Sequence, residues 1–321
     1  MDNTIQQWEN RIGRRLKLRD LQILAAVVQW GSMAKAASHL AMSQPAVSES
    51  VANLEDALRV RLLDRSARGV QPTLYAHALL KRGRVVFDEL KQAISDLEFL
   101  ANPSVGEVRV SAGDTLAAGL LPEVISRLSR RHPNIVVRVI QANADRQEFR
   151  ELRERTIDLA LARTSRSFAE DDLEVEILFD DRHRVVAGTR SVWARRRKIT
   201  LAELVNESWI FASNQVIREL IAEAFKARGL EVPQERVSAN SILLRNQLLA
   251  TGRFLTVLPD SVLRYNAKPW SLKVLPVDLG VKLRSVAIIT LKNRTVSPVV
   301  QLFAEHVRAV AKTMFSQSGT G

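Results

Sequence analysis

The chain has 321 residues, of which 46% are apolar, so it is long enough for two or three domains that each bury a core. It has no cysteine, which excludes disulfides, thiolate metal sites and cysteine nucleophiles, and its five histidines are scattered, so we expect no metal and no cofactor. The net charge of +12 favours a polyanionic partner, but residues 1–75 hold only ten basic against seven acidic side chains, so charge alone does not locate a binding site.

Residues 1–15 form a polar N-terminal arm. The arm carries Arg11, Arg14 and Arg15, and we interpret it as a loose terminus, the alternative being a basic tail that touches a nucleic-acid backbone. Neither this segment nor any later window contains the apolar run of a signal peptide or of a membrane helix. We therefore expect a cytoplasmic protein with no membrane partner.

Apolar residues recur at spacings of three and four in three short segments between residues 16 and 58, which predicts three helices. Gly31-Ser32 separates the first two, with Ser32 as N-cap, and Ser43 caps the third, with Pro45 in its first turn. The residues expected to face inward are Leu18, Leu21, Ala25 and Val28 in the first helix, Ala34, Ala37 and Leu40 in the second, and Val47, Val51, Leu54 and Leu58 in the third.

The third helix presents small and polar side chains on its opposite side. Pro45, Glu49, Ala52 and Asn53 share that face, which Ser48 flanks. Such a face is typical of a helix that enters the DNA major groove, and two short helices around a tight turn predict a helix-turn-helix. Helical bundles that do not bind DNA show the same spacing of apolar residues, so the pattern alone is compatible with a DNA-binding domain and with an ordinary helical bundle.

A short turn follows the third helix. Arg65, Arg68 and Gly69 lie between Leu63 and Pro72-Thr73. We interpret this segment as the wing of a winged helix, whose arginines can reach a phosphate or the minor groove. A solvated turn is the alternative.

From Thr73 to about Leu100 the pattern predicts one long helix, capped by Thr73 and ended at Asn102-Pro103. A helix of about 25 residues spans nearly 40 Å, which is more than a small winged helix can cover. We therefore expect it to pair with the same helix of a second subunit, giving a homodimer and a two-fold-related DNA site. The apolar seam consists of Leu79, Val86, Leu90, Ala93 and Leu97.

Beyond residue 103 strands and helices alternate, which predicts two lobes built on open parallel sheets. Acidic residues 170–174 and basic residues 195–198 are expected in solvated loops without a DNA role.

The first lobe is predicted as strand 108–112, turn Gly113–Gly119, helix Leu120–His132, strand Ile135–Ile140, helix 149–155 and strand 157–162. The second is predicted as strands 185–188 and 209–212, helix 217–228, strand 236–239, helix 241–250 and strand 254–258, with a return through 274–276, 286–291 and a last helix from Ser297 to Lys312.

Polar side chains follow several of these strands, where ligands of open parallel sheets bind. The clusters are Asp114-Thr115, Asn143–Asp145, Ser213-Asn214 and Asn240-Ser241. Any one of them can be a helix cap or a loop residue, so only their combination favours a ligand site. Such polar residues fit sugars, organic acids and aromatic acids alike.

Residues 16–73 also carry a specific series of motifs, which are Leu18–Gln22, Gly31-Ser32, Ala36-Ala37, Leu40, Ser43-Gln44-Pro45-Ala46-Val47-Ser48, Leu54-Glu55 and Leu62-Leu63-Asp64-Arg65. In this order and spacing they resemble the DNA-binding domain of LysR-type transcriptional regulators. The effector domain of that family has the layout of periplasmic binding proteins. This chain resembles it at Leu121-Pro122, His132-Pro133, Ile157-Asp158-Leu159 and Leu258-Pro259.

The resemblance implies a regulator that binds double-stranded DNA and responds to a small-molecule effector. It also implies pairing through the linker helix and joining of two dimers into a homotetramer, and an activator would contact RNA polymerase. The candidate DNA-binding residues are Ser32, Lys35, Ser43, Gln44, Pro45, Ser48, Glu49, Asn53, Arg65 and Arg68. The candidate effector-binding residues are Thr115, Leu116, Asn143, Asp145, Ser213, Asn214, Asn240 and Ser241.

Two positions depart from the family pattern. Members often carry an arginine that contacts DNA where this chain has Glu49, and a glycine where it has Arg59. A carboxylate can accept a hydrogen bond from cytosine but repels phosphate, so Glu49 is expected to change sequence preference or affinity.

The expected fold is α/β, with an N-terminal all-α winged helix-turn-helix, a long linker helix and a two-lobed, periplasmic-binding-protein-like effector domain. The predicted limits are residues 1–15 for the arm, 16–73 for the winged helix, 74–102 for the linker helix and 103–321 for the effector domain. Its first lobe covers about 103–178 and 277–315, and its second about 179–276.

Two other classes of protein fit the second half of the chain alone. A transport-type solute-binding protein would leave residues 16–73 unexplained. An enzyme would need a nucleophile–base pair or a metal cluster, which the sequence does not offer, so we expect no catalytic residue.

Overall fold

The computed structural model describes residues 16–66, 69–142, 149–165, 168–213, 215–281 and 283–315. The chain divides into two compact units, Met1–Lys91 and Gln92–Gly321. Within the described ranges, no helix combines the length and the apolar character needed to cross a membrane. The predicted arm, with Arg11, Arg14 and Arg15, lies outside the described residues.

The first unit is built on three short helices and a hairpin. The strands pair antiparallel, with Leu63 opposite Pro72 and Ser66 opposite Gly69, as predicted for a wing. A long helix follows the hairpin. The elements are α1 Leu18–Trp30, α2 Met33–His39, α3 Gln44–Leu58, β1 Leu63–Ser66, β2 Gly69–Pro72 and α4 Leu74–Ala101, and the residues of α4 after Lys91 belong to the second unit.

Side-chain caps start the helices where the sequence predicts them. The Ser32 hydroxyl accepts from the backbone N–H of Lys35 at 3.4 Å, and the Ser43 hydroxyl accepts from that of Ala46 at 3.3 Å. Thr73 caps α4 in the same way, through the N–H of Ala76 at 3.3 Å. Each cap satisfies one of the donors that a helix N-terminus leaves free, so the boundaries follow from local chemistry.

The predicted inward faces of the first two helices are partly wrong. Leu18, Ala25 and Ala34 are exposed. The first helix is apolar on most of its circumference, so several stripes satisfy the helical period and packing selects among them. The buried residues are Leu21, Ile23, Leu24, Ala26 and Val27 in α1, and Met33, Ala36 and Ala37 in α2.

The wing is fastened to the helices by backbone contacts. The carboxylate of Glu55 on α3 accepts from the N–H groups of Leu62 and Leu63, at 2.6 and 3.1 Å. Gly69 has a φ of +116°, and a Cβ there would lie 2.9 Å from the carbonyl oxygen of Gly31. Only glycine combines this backbone angle with so close an approach, so the wing is held in one position.

The second unit contains two five-stranded sheets. Their strand orders are β4-β3-β5-β12-β6 for sheet I and β11-β7-β10-β8-β9 for sheet II. Sheet I consists of β3 Val105–Ala112, β4 Asn134–Gln141, β5 Leu159–Thr164, β6 Leu173–Asp181 and β12 Arg284–Leu291. Sheet II consists of β7 His183–Gly188, β8 Trp209–Phe211, β9 Glu235–Ser238, β10 Leu255–Pro259 and β11 Leu272–Val274.

Both sheets are mixed, whereas the sequence predicted parallel ones. Strand β12 runs antiparallel to β5 and β6, and β7 runs antiparallel to β10 and β11. The antiparallel strands are those that flank the two passages of the chain between the sheets. One passage is at Arg182, between β6 and β7, and the other lies between Val274 and Arg284. The lobe limits near 178 and 277 stay a prediction.

Helices cover both sheets of this unit. Phe303 and Leu128 belong to the core of sheet I, and Trp209 and Phe225 to that of sheet II, all with at most 1% of their surface exposed. The helices are α5 Asp114–Gly119, α6 Leu121–Arg131, α7 Arg150–Arg153, α8 Gln215–Lys226, α9 Ile242–Ala250, α10 Asp260–Asn266 and α11 Pro298–Phe315.

Two local predictions are corrected here. The segment Gly113–Gly119, predicted as a turn, contains helix α5, and Glu174, predicted in a loop, lies in strand β6. Helix α10 was missed. Short helices such as α5 and α10 have too few residues for a periodic signal, and contacts between them stabilise both. The amide of Asn266 donates to the carbonyl oxygen of Ala118 at 3.0 Å.

Gly119 allows α5 and α10 to touch. A Cβ at this position would lie 2.6 Å from the carbonyl oxygen of Ser261. We expect Gly119→Ala to lower the free energy of unfolding by about 1–3 kcal/mol because the two backbones must separate. Thermal unfolding of the full chain measures this loss. Gly113→Ala is the control, since a Cβ there meets nothing within 4 Å, and an equal loss in both variants would contradict the explanation.

Candidate DNA-binding surface and effector cavity

Helix α3 exposes the side chains that the sequence assigns to DNA. Gln44, Pro45, Glu49 and Asn53 are exposed along one side, and Ser48 is half-buried beside them. Val47, Val51 and Leu54 on the other side are fully buried. The core therefore fixes the rotation of α3, and the polar face is free to meet a groove.

In the described part of the wing, Arg65 reaches this face. The guanidinium of Arg65 on β1 donates to the hydroxyl of Ser48 at 3.4 Å. Ser32 and Ser43 are both occupied as helix caps, and Lys35 is exposed next to the first of them. The predicted DNA contact Arg68 lies outside the described residues.

Glu49 has no ion pair or hydrogen bond among the described residues of the first unit. Its side chain is exposed on the same face as Gln44 and Asn53. A carboxylate in this position repels a phosphate that approaches the helix, because no cation of the described residues pairs with it.

A cavity of about 410 Å³ opens between the two sheets of the second unit. It lies where strands β3, β4, β5, β8 and β9 end, as expected for a ligand site in such sheets. Thr115, Leu116 and Asn240, three of the predicted effector residues, line it. The volume is within the range of small-molecule sites.

The other predicted effector residues are placed differently. Ser213 does not line the cavity, and its hydroxyl pairs with that of Ser238 at 3.0 Å. Ser241 does not line it either, since it caps helix α9 through the N–H of Leu244. The predicted residues Asn143, Asp145 and Asn214 lie outside the described residues.

Sequence reasoning missed the basic side chains of the cavity. Arg163, Arg245 and Arg284 line it together with His183. Arg163 directly follows the strand residues 157–162, so the rule that polar residues at strand ends bind ligands could have found it. Arg245 sits in an apolar helix and Arg284 at the start of a late strand, and neither position gives a local signal.

Arg163 is the centre of a network at the first passage between the sheets. Its guanidinium donates to the Thr115 hydroxyl at 2.6 Å, to the Asp181 carboxylate at 2.7 Å and to the Ser261 hydroxyl at 2.8 Å. Ser261 in turn donates to Asp181 through its hydroxyl, at 2.6 Å, and its backbone N–H, at 3.0 Å. One buried carboxylate thus joins sheet I to helix α10.

Burial shifts the other titratable groups of the cavity. It lowers the pKa of His183 to about 4, helped by the charge of Arg163, so His183 is neutral at pH 7. Burial also lowers the pKa of Arg245 to about 10 and, together with Arg163, lowers that of Arg284. Both arginines remain protonated at pH 7. Within the described ranges, no three potential metal ligands form a cluster.

Family models match both units of the chain. Residues 18–77 match the bacterial regulatory helix-turn-helix protein model of the lysR family, and residues 101–312 match the LysR substrate binding domain. The transcriptional regulator GbpR of Azospirillum brasilense is 27% identical over 93% of this chain and 88% of its own length. The dual regulator GltC of Bacillus subtilis is 26% identical over 91% and 96%.

Solved structures share the fold. A full-length OxyR variant from Pseudomonas aeruginosa matches with a TM-score of 0.63 and 22% identity, over 92% of this chain and 95% of that one. Full-length CbnR in complex with its target DNA matches with a TM-score of 0.52 and 23% identity, over 92% and 100%. With a helix-turn-helix and a substrate-binding domain that match family models over most of its length, the chain belongs to the LysR family of DNA-binding transcriptional regulators and is not an enzyme.

Proposed function

We propose that this regulator reads promoter DNA with the exposed side of α3 and contacts the backbone with its wing. The observation that carries the proposal is the contact between Arg65 and Ser48, because it joins a cationic wing to a small polar helix face. Gln44 and Asn53 can pair with adenine edges, and Arg65 can reach a phosphate when it leaves Ser48. Full-length CbnR, a protein of the same fold, has been solved in complex with its target DNA, which supports DNA binding by this fold.

The dimer in this proposal forms through helix α4. Val86, Leu90, Ile94 and Leu97 recur at spacings of four, four and three, and between 43% and 67% of each side chain is exposed. An exposed apolar stripe of this length is unusual on a monomer and suits a second copy of the same helix. Two dimers would join into the homotetramer.

The effector in this proposal binds in the cavity between the two sheets. Closure would bend the passages at Arg182 and between Val274 and Arg284, and would change how dimers pack and how the DNA bends. The ligand must bind one state better than the other to have this effect. An activator of this kind would contact RNA polymerase, and the site of action would be the cytoplasm, where promoter DNA lies.

Variants of two neighbouring residues test the DNA surface. We expect Ser48→Ala to weaken DNA binding about fivefold, since one hydrogen bond of about 1 kcal/mol is lost. Glu49→Arg should tighten nonspecific binding and steepen its dependence on log salt concentration by about 0.9, the effect of one added phosphate contact. Fluorescence anisotropy of a labelled duplex at several salt concentrations measures both changes.

The control for Glu49→Arg is Glu231→Arg in the second unit. Glu231 is also exposed, and the change in net charge is the same. The control should leave the salt slope unchanged. If Glu49→Arg also left the salt dependence of DNA binding unchanged, residue 49 would not contact the DNA.

A further inference from the structure

Arg245 is an arginine buried in the wall of the effector cavity. It lies on helix α9, and only 3% of its surface is exposed. Its Nε is fully shielded and has no hydrogen-bond partner within the described part of the chain, and no ion pair to Arg245 is found there either. A buried guanidinium without a partner lowers the stability of the folded state, because it has lost its hydration and makes no hydrogen bond or ion pair that compensates for this loss.

Other buried arginines of the second unit are compensated. Arg294, which is 8% exposed, lies 3.0 Å from the carboxylate of Asp158, and Arg163 lies 2.7 Å from that of Asp181. Arg163 lines the same cavity and has a carboxylate partner, so neither the fold nor the cavity as a whole explains why Arg245 has none among the described residues.

The cavity contains little negative charge to balance Arg245. Asp114 attracts it from a distance, but the carboxylate of Asp114 is already hydrogen-bonded to the amide of Gln141. Glu151 also lines the cavity, with an exposed side chain. Arg284 adds a second half-buried cation whose guanidinium, among the described residues, donates only to the Arg163 carbonyl oxygen, at 3.4 Å. Among the residues that the structure describes, a positive charge thus remains uncompensated inside the cavity.

We propose that the effector is a small organic acid whose anionic group pairs with Arg245, with Arg284 close enough to add to the attraction. This inference rests on the proposed function of the cavity as the effector site. A planar guanidinium binds a carboxylate through two parallel hydrogen bonds, which is the strongest contact the cavity can offer. Leu161, Ile217 and Val257 line the rest and suit an apolar body.

The size of the cavity limits the acid. About 410 Å³ corresponds to the volume of roughly a dozen water molecules, so the ligand has about ten to fifteen non-hydrogen atoms. Neutral analogues of the same shape should bind about 30-fold more weakly, because they leave the buried guanidinium unpaired. The negative charge of the ligand therefore contributes more to its affinity than its shape does.

The unliganded protein gives the first test. Arg245→Met removes the charge and keeps most of the side-chain length, so we expect it to raise the thermal midpoint of the second unit by about 3 °C. An arginine with a structural role would show the opposite. Arg236→Met, at an exposed position of β9, should leave the midpoint unchanged. A lower midpoint in Arg245→Met would overturn the proposal.

Matched ligands give the second test. The probes are monocarboxylates of four to ten carbons, linear and aromatic, each paired with its primary amide, at constant ionic strength. In the wild-type chain at least one acid should raise the thermal midpoint and its amide should not. Arg245→Met should lose this response, and Arg245→Lys should keep the preference for the acid. Equal shifts by acid and amide, no shift by any acid, or an unchanged response in Arg245→Met would each contradict the inference.

DNA binding separates this inference from the proposed function. If Ser48→Ala and Glu49→Arg left DNA binding unchanged, the proposed DNA-binding surface would be contradicted, independently of the results with the carboxylic acids. If the DNA surface behaved as expected and the acids failed, only the identity of the ligand would be wrong.

Discussion

A double variant, Leu90→Glu with Leu97→Glu, is expected to be a monomer that binds DNA about 1,000-fold more weakly than the wild type. The two leucines lie on the exposed apolar stripe of α4, with 44% and 67% of their surface accessible. A charge in a helix pair would be buried without a partner, which prevents association. Each winged helix would then bind one half-site alone, without the effective concentration that the second half supplies.

Sedimentation and DNA titration of the same samples measure this effect. Lys91→Glu is the matched control, because it changes the net charge by the same two units at an exposed position of α4. The control should remain a dimer. A double variant that sediments as a dimer would place the dimer interface elsewhere. A monomer with unchanged affinity would contradict the expected contribution of the second half-site to DNA binding.

Asp158→Asn is expected to lower the free energy of unfolding of the second unit by about 3–5 kcal/mol. The carboxylate accepts from Arg109 at 2.7 Å and from Arg294 at 3.0 Å, and also from the backbone N–H of Arg109 at 2.8 Å. Asparagine keeps the shape but leaves both guanidinium groups without this counter-charge. The thermal midpoint should fall by about 10 °C.

An exposed ion pair on the same sheet provides the control. Glu107 and Arg138 lie 2.7 Å apart, but 37% and 63% of their side chains are exposed. Glu107→Gln should therefore cost less than about 1 kcal/mol. Calorimetry of the full chain compares the two variants. If both variants lost a similar free energy of unfolding, burial of the Asp158 ion pairs would not increase their contribution to stability.

The first unit could be predicted from sequence to a large degree, because its signals are local. Ser32, Ser43 and Pro45 mark helix starts within a few residues. The order of the sequence motifs predicts the remaining elements of the winged helix. The faces of α1 could not be predicted in the same way. Leu18 and Leu21 satisfy the same helical period, yet only Leu21 is buried, since contacts with other elements decide the rotation of the helix.

The cavity was predictable only in outline. The rule that ligands bind at strand ends pointed to Thr115 and Asn240, and both residues line the cavity. It could not point to Arg245, because this residue is brought to the cavity by the packing of α9 and not by a strand end. Asp158 shows the same limit. It was noticed as part of a family landmark, but its two arginine partners are 49 and 136 residues away in sequence.

Selection of bound duplexes from a random-sequence library by the purified full-length chain tests the central claim most directly. We predict that the selected sequences contain an inverted repeat with half-sites a whole number of helical turns apart, because a two-fold dimer presents two α3 helices. Gln44→Ala should change the preferred bases within each half-site. Selected duplexes without two-fold symmetry, or with preferences that Gln44→Ala leaves unchanged, would contradict the account.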